Sequence, residues 1–283
     1  MPELPEVETI KLQLQKFLVR HRITEIEVKN TKIFTGNPKD ITKAKIIGIR
    51  RFAKVLTIDL SNKKSLVIHI KLTGQLIYKG PNLQDGEILS KKVVGGVPGP
   101  HTHVIFHLDK GGFLYYNDVR RFGWIKVFDT DNVEKEGFVK TLGPEPFKNL
   151  DFEYFKSILS KTSRAIKVVL MDQSKIGGVG NIYANDALWL SKINPKRPAK
   201  ELTETEAKSL YDAVHKVLQA GMKYGGASEL AFVTPDGKEG EYQKHTLAYG
   251  HEGEVCGRCH KAKFIKYFLS GRGTYVCPRC QKA

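Results

Sequence analysis

The sequence predicts an α+β protein of several domains: a β-rich N-terminal part of sandwich or barrel type, a helical middle and a small C-terminal hairpin. Three observations lead there. Seven short stretches of strand-like pattern, separated by turn residues, follow one N-terminal helix and end at Phe128. Beyond about Asn132 the apolar spacing lengthens to the helical period. All 4 cysteines fall in two pairs near the C-terminus. A length of 283 residues is enough for two domains that each bury a core. Hydrophobic content of 41% and charged content of 27% describe an ordered globular chain.

The chain opens Met1-Pro-Glu-Leu-Pro-Glu6. With Met1 removed, these residues place a proline secondary amine, Pro2, beside two carboxylates, Glu3 and Glu6. An α-amino group has a pKa of about 8 against about 10.4 for lysine, so its reactive neutral form is far commoner at neutral pH. A secondary amine condenses with an aldehyde carbon to an iminium ion, positive without a proton, and so acts as an electron sink. The competing reading is an ordinary chain end with helix-favouring acids. Val7, Ile10, Leu14, Phe17 and Leu18 recur at helical spacing and predict an amphipathic helix. Glu6 and Glu8 then lie in its first turn, where the helix dipole favours acids.

Strands are predicted at Ile23–Val28, Lys45–Arg50, Lys54–Leu60, Ser65–Leu72, Val104–Leu108, Phe113–Tyr116 and Trp124–Phe128. Asp109-Lys-Gly-Gly112 supplies a hairpin turn between two of them. The stretch from Lys79 to Pro100, rich in Gly, Pro and Lys, reads as a long loop. Asp151–Lys161 and Ser163–Gln173 follow a helical pattern, and Thr203-Glu-Thr-Glu206 is a capping box that opens a further helix. Between them Gly177-Gly-Val-Gly-Asn-Ile-Tyr183 leads into a helix as phosphate cradles do. The absence of a P-loop Lys-Ser/Thr and of a dinucleotide-fold strand argues against a nucleotide cofactor. Backbone amides and Asn181 would grip a phosphodiester; a tight turn between packed helices is the alternative.

Basic residues number 46 and acidic ones 30, a net charge of +16. That excess points to a polyanionic partner, nucleic acid ahead of an anionic membrane. A merely solubilising basic surface is the alternative, and the unevenness of the charge speaks against it. Between Val255 and Ala283 stand seven Lys or Arg and no Asp or Glu. No apolar run approaches the ~20 residues of a membrane span. The acidic N-terminus has no signal-peptide pattern, so the expected location is the cytoplasm, in contact with the nucleoid.

Cys256-Gly-Arg-Cys259 and Cys277-Pro-Arg-Cys280 form C-x2-C-x17-C-x2-C. Each short loop converges two thiolates on one ion, and four complete the tetrahedral shell of a structural zinc, with no open position for catalysis. Disulfides are the rival, disfavoured in a cytosolic chain. From Phe264 to Val276 polar and apolar residues alternate around Ser270-Gly-Arg-Gly273, predicting a metal-bound β-hairpin with Arg272 at its tip as a candidate phosphate contact.

In content and order these features resemble the bacterial formamidopyrimidine-DNA glycosylase family, the repair enzymes for oxidised purines. The matching blocks are PELPEVE (Pro2–Glu8), RRFAK (Arg50–Lys54), DVRRFG (Asp118–Gly123), GGVGNIYAND (Gly177–Asp186), DGKEGEYQ (Asp236–Gln243), YGHEGEVC (Tyr249–Cys256) and GRGTYVCPRCQ (Gly271–Gln281). The sister endonuclease VIII branch typically begins Pro-Glu-Gly-Pro-Glu, so Leu4 favours the purine branch. The resemblance implies an N-terminal β-sandwich with flanking helices over residues 1–131, a linker over 132–150, a helix-two-turn-helix domain with a lesion loop over 151–240, and a zinc-finger hairpin over 241–283. It also implies a monomer with damaged duplex DNA in the cleft between domains, one structural zinc ion and no organic cofactor.

Position by position, the resemblance implies Pro2 as the nucleophile, Glu3 as the proton donor or acceptor at the sugar, Glu6 as an organiser of the site and Lys54 as a phosphate contact that assists the chemistry. Asn181 and Arg272 would hold phosphates flanking a flipped nucleotide, and Lys167 and His101 match further DNA-contact positions. Arg120 and Phe122 would enter the duplex beside the vacated base, with Leu72 as the third wedge residue. On residue type alone, a salt-bridged Arg and a core Phe are the alternatives for that pair. The implied reaction is base excision followed by elimination of both flanking phosphates. The alternatives are an endonuclease VIII-like enzyme for oxidised pyrimidines and a catalytically inactive DNA-binding relative; the intact Pro2, Glu3 and Lys54 speak against the latter. Four departures stand out: Leu72 where Met is frequent, Asp186 for Glu (expected to loosen a helix-terminal contact), a hairpin one residue longer, and Gly225-Gly-Ala-Ser-Glu-Leu-Ala-Phe232 in the lesion loop. A Thr/Ser-x-Arg/Lys-Asp pattern is common there in 8-oxoguanine-processing members.

Overall fold

Helix α1 (Leu4–Leu18) begins where Pro5 presets the helical φ and Glu3 and Glu6 close a capping box around the first turn. Its buried stripe is the predicted one, Val7, Ile10, Leu14, Phe17 and Leu18, joined by Leu4. Nine strands follow in a computed structural model that describes residues 1–81, 83, 89–135 and 137–282. They are β1 (Ile23–Val28), β2 (Phe34–Thr35), β3 (Ile46–Phe52), β4 (Val55–Leu60), β5 (Lys64–His69), β6 (Gly74–Lys79), β7 (Thr102–Leu108), β8 (Phe113–Asp118) and β9 (Trp124–Asp129). One antiparallel sheet has the order β1-β7-β8-β6; the other runs β2-β9-β5-β4-β3, with short β2 parallel to β9. Leu56, Ile58, Leu66 and Ile68 of one sheet and Leu76, Val104, Phe106 and Leu114 of the other share a single apolar core with α1. That is the predicted β-sandwich.

Two of the differences from expectation bear on the candidate site. The run expected as a strand to Leu72 stops at His69, and an unpredicted strand, β6, starts at Gly74. Strands β5 and β6 lie in different sheets, so residues 70–73 must turn the chain across the sandwich. A Cβ on Gly74 would come within 2.4 Å of the Ile70 carbonyl oxygen, so this turn closes only on glycine. Lys54, expected to open a strand, instead forms with Ala53 the two-residue turn between β3 and β4, with Ala53 at φ 50°. The described part of the stretch from Lys79 to Pro100 is turns and bends beyond the end of β6; residues 82 and 84–88 of it lie outside the described residues.

Helices dominate the next part: α2 (Phe152–Ser160), α3 (Ile166–Leu170), α4 (Asn181–Leu190) and α5 (Glu204–Lys223). The α5 capping box forms as predicted, with Thr203 N–H donating to Glu206 Oε2 at 2.9 Å and Glu206 N–H to Thr203 Oγ1 at 3.2 Å. Helix α3 is shorter than the predicted Ser163–Gln173 because Ala165 is extended and bridges to Pro198, while Asp172 accepts from Ser174 N–H just beyond its end. The C-terminal hairpin is β10 (Ile265–Leu269) paired antiparallel with β11 (Arg272–Val276). Its turn residues Ser270 and Gly271 both have positive φ, the geometry that matches the twist of the strands.

The chain packs as two compact units, Met1–Lys140 with Tyr224–Gln243, and Thr141–Lys223 with Lys244–Ala283. No helix among the described residues is long and apolar enough to cross a membrane.

Candidate active site and nucleic-acid interface

In the sandwich unit, Pro2, Glu3 and Glu6 are all buried at the start of α1. Glu3 N–H donates to Glu6 Oε2 at 2.6 Å, so the two candidate carboxyl residues share one capping arrangement. Helix α1 packs on β3 and β4, and Glu8 fixes that contact through Arg51, whose Nε lies 2.7 Å from Glu8 Oε2. The Arg51 guanidinium also donates to the Ala53 carbonyl at 3.0 Å, which stiffens the turn that carries the buried Lys54. His69, at the end of β5, is packed edge-on against Trp124 and Phe138. Burial, with the positive charges of Lys71 and Lys54, holds its imidazole neutral and its pKa down at about 3.

The three wedge candidates sit on two adjoining turns of the same unit. Phe122 is 52% exposed and Leu72 half-buried, while the Arg120 guanidinium lies over the Phe122 ring at 4.7 Å. Phe122 is therefore not a core residue, and among the described residues Arg120 forms no salt bridge. Buried Asp118 organises both turns. Its Oδ2 accepts from Gly123 N–H at 2.8 Å, its Oδ1 from Arg120 N–H at 3.2 Å and from the Thr73 hydroxyl. Thr73 Oγ1 also accepts from Arg120 N–H at 3.0 Å, which ties the Leu72 turn to the Arg120–Phe122 turn. Half-buried His101 adjoins this anchor, its carbonyl accepting from Asp118 N–H at 3.0 Å.

In the helical unit, Asn181 is the first residue of α4. The glycine-rich turn before it uses its amides internally: Gly177 N–H donates to the Pro144 carbonyl and Gly178 N–H to Gln173 Oε1. Between the two sequence readings, residues 177–179 are thus a tight turn, and the helix start with Asn181 is what remains for an anion. Arg272 is exposed at the hairpin tip. Lys167, expected to touch DNA, is only 1% exposed; its ammonium donates to the Gly273 carbonyl at 2.7 Å and to Thr274 Oγ1 at 2.9 Å. It holds the strand that carries Arg272, and both residues line a cavity of about 210 Å³. Asp186 is not loosened by its shorter side chain: Oδ1 accepts from Ala248 N–H at 2.9 Å and Tyr249 N–H at 3.0 Å.

The four cysteine sulfurs all lie within 4.8 Å of one another. Cys256 and Cys280 are 3.9 Å apart and Cys259 and Cys277 3.7 Å. Four thiolates at ~2.3 Å from one metal ion stand about 3.8 Å apart, whereas a disulfide requires ~2.05 Å. The donor set therefore fits one tetrahedral metal ion. Burial opposes ionisation of Cys256, but the backbone N–H groups of Cys259 and Arg258 and the Trp189 indole outweigh it and bring its thiol down to about 6.

Comparison with known proteins places this geometry. A family model described as the formamidopyrimidine-DNA glycosylase N-terminal domain matches residues 1–125, and one described as the H2TH domain of the same enzymes matches residues 142–232. The formamidopyrimidine-DNA glycosylase of Pelotomaculum thermopropionicum is 38% identical over 288 residues, covering 100% of this chain and 99% of that protein. The chain belongs to the formamidopyrimidine-DNA glycosylase family. The enzyme of that name from Rickettsia africae is likewise 38% identical, covering 99% of both chains. Among solved structures, Lactococcus lactis Fpg in complex with abasic-site DNA superposes with a TM-score of 0.87 at 32% identity, covering 99% of this chain and 100% of that one. Its wild-type complex with N7-benzyl-Fapy-dG DNA gives 0.86 at 32% identity, with both chains covered completely.

Within this formamidopyrimidine-DNA glycosylase fold, three residues that organise the site escaped sequence reasoning. Thr73 carries no signal beyond its neighbourhood of the wedge residues, and Asp118 opens a recognised block without showing what it holds. Asn185, whose Oδ1 accepts from Tyr275 N–H at 2.9 Å, belongs to a recognised block but shows its role only once the hairpin is folded against α4. Asp118→Ala is expected to cost about 2 kcal/mol in urea unfolding, because it strands the buried Gly123 N–H and removes the acceptor of the half-buried Thr73 hydroxyl. It should also free the wedge turns; unchanged stability would show that Asp118 anchors nothing.

Proposed function

We propose that this family member is a bifunctional DNA glycosylase and abasic-site lyase that excises oxidised purines from duplex DNA, with the freed amine of Pro2 as nucleophile. The observation that carries this reading is the buried Glu3–Glu6 box, which sets the second residue of the chain beside two organised carboxyl groups. Removal of Met1 converts the Pro2 nitrogen from an amide to a secondary amine. That amine attacks C1′ of an extruded nucleotide, and the bond to the damaged base breaks, the base leaving with the electron pair and taking up a proton. Glu3 donates a proton to the sugar ring oxygen as the ring opens. The resulting iminium acidifies the C2′ protons, so loss of one of them expels the 3′ phosphate, and a second elimination expels the 5′ phosphate. Hydrolysis of the iminium restores the amine.

The remaining side chains hold the substrate. Lys54 and His101 are proposed to contact its backbone, as are Asn181 and Arg272 in the helical unit, while Lys167 holds Arg272 in place. Arg120 offers hydrogen bonds to the orphaned opposite base, and Phe122 and Leu72 fill the vacated stack. Zinc is the ion proposed for Cys256, Cys259, Cys277 and Cys280; when bound it crosslinks the hairpin and takes no part in the reaction. The cytoplasm, at the nucleoid, is the proposed location, and the monomer the proposed form.

The test is a single-turnover comparison of duplexes carrying 8-oxoguanine, a formamidopyrimidine or an oxidised pyrimidine. The purine lesions should be released at least about tenfold faster than the pyrimidine lesion. The reverse order would assign the chain to pyrimidine repair, and binding without release would make it an inactive relative.

A further inference from the structure

In the helical unit, the segment Asn194-Pro-Lys-Arg-Pro198 and the base of the β10–β11 hairpin line a cavity of about 510 Å³. That volume suits a small ligand or a few residues of peptide. Its two walls are tied together and preformed. Asn194 Nδ2 donates to the Gln281 carbonyl at 2.9 Å, and Gln281 Nε2 to the Ile193 carbonyl at 2.9 Å. Arg197 braces the first wall, its guanidinium donating to Glu206 Oε1 at 2.5 Å and to the Glu201 carbonyl at 2.9 Å.

Pro198, Ile265, Tyr267 and Pro278 give the cavity an apolar lining, and Ile265 leaves 48% of its surface open to water. The Lys196 ammonium lies over the Tyr267 ring, 4.3 Å from its centroid. Neither this ammonium nor the Glu201 carboxylate, also on the lining, forms an ion pair among the described residues. An adjoining hollow of about 590 Å³ shares Arg197 and Glu201 and adds the exposed cations Lys192, Arg279 and Lys282.

We propose that this cavity docks an acidic peptide segment of a protein partner. An apolar side chain of the segment enters beside Ile265 and Tyr267, where it buries surface now open to water. Acidic residues flanking that anchor face Lys196 and the margin of Lys192, Arg279 and Lys282. A backbone N–H of the segment donates to the Glu201 carboxylate. A nucleic-acid strand fits less well, because it would set phosphates against Glu201 and offers no apolar side chain. A second copy of this chain is opposed by its own net charge of +16.

The cavity and the phosphate contacts proposed above lie at opposite ends of the same elements. Asn181 opens α4, and Asn194 on the cavity lining comes after its last residue, about 15 Å along for a helix of 10 residues. Arg272 opens β11, and Val276, which lines the cavity, closes it about 13 Å further on. The peptide therefore binds while a duplex is held at Asn181 and Arg272, and brings its partner to protein already on DNA.

The test is fluorescence anisotropy with the full-length, metal-loaded protein and three short labelled peptides. One is Asp-rich with a single Phe, the second replaces that Phe by Ala, and the third replaces every Asp by Asn. The first should bind with a Kd below about 100 µM, and the other two at least about tenfold more weakly. Lys196→Glu and Ile265→Asp should each weaken the first peptide by at least about tenfold, with affinity for an abasic-site duplex kept within about threefold of the parent. Lys196 is exposed, so its variant serves if Ile265→Asp does not fold. Lys39→Glu makes the same charge change on the sandwich unit and should leave peptide binding within about threefold. Saturating duplex should likewise shift the peptide Kd by no more than about threefold. Absence of binding, equal binding of the Phe and Ala peptides, or equal loss in Lys39→Glu and Lys196→Glu overturns the docking site. Displacement of the peptide by duplex makes the cavity a nucleic-acid surface, and self-association abolished by Lys196→Glu gives it to a second copy; either result overturns the partner proposed here. None of these outcomes touches the excision chemistry, in which no cavity residue takes part.

Discussion

Borohydride trapping on lesion-containing duplex should yield a covalent protein–DNA adduct only from protein whose Pro2 amine is free. While Met1 remains attached, the Pro2 nitrogen is an amide, and its lone pair is delocalised into the carbonyl group and unavailable for attack. Retained Met1 or an N-terminal tag is therefore expected to lower trapping by about a thousandfold or more, to background, while binding to the same duplex persists. Pro2→Gly is the finer probe. It keeps an amine, but its adduct is an imine that carries positive charge only when protonated, so elimination should slow without vanishing. Full lyase activity in Pro2→Gly would remove the special role of the secondary amine, and trapping by the blocked protein would move the nucleophile elsewhere. Lys54 is the natural place to look in that event, since it is a buried amine in the same unit.

Removing the metal is expected to have the second largest effect. Strands β10 and β11 form a two-stranded sheet of their own whose β10 residues are largely exposed, and a ribbon of two strands needs more than its own pairing to hold its shape in water. Structural zinc supplies about 10–16 kcal/mol in small finger peptides, far more than the ribbon's own packing. One zinc per chain should be found by metal analysis. Chelation, or Cys277→Ser, should lower duplex affinity by about a hundredfold at moderate salt and flatten its salt dependence, as the basic C-terminal stretch loses its fixed geometry. The far-UV signal of the sandwich should survive, since its core contains no residue of the hairpin. Equal affinity of the metal-loaded and metal-free protein would separate the cysteine cluster from nucleic-acid binding.

Much of the site was legible in residue order alone. A Pro-Glu-Leu-Pro-Glu start, two Cys-x2-Cys pairs and an Arg-Arg-Phe turn are each local patterns, and local patterns are what a linear sequence displays. The sandwich was legible for the same reason: alternating apolar stretches and turn residues repeat within a few positions. Other features were invisible because their determinants are distant. Nothing in the sequence around Lys167 shows that its ammonium donates to Gly273 and Thr274. Lys54 looked like the first residue of a strand, because a turn of only two residues with Ala at positive φ leaves little mark on the pattern.

By itself the sequence determined the chemistry available: which amine, which carboxyl groups, which four thiols, and a surplus of positive charge for an anionic partner. Only the tertiary structure decided which of these groups work together. Glu6 meets Ala227 across 221 residues, Thr73 meets Asp118 across 45, and Lys167 meets Gly273 across 106. Helical and strand periodicities report which face of an element is apolar. A buried hydrogen bond between distant backbone and side-chain groups has no period, and it exists only once the core has closed and excluded the water that would otherwise satisfy both partners.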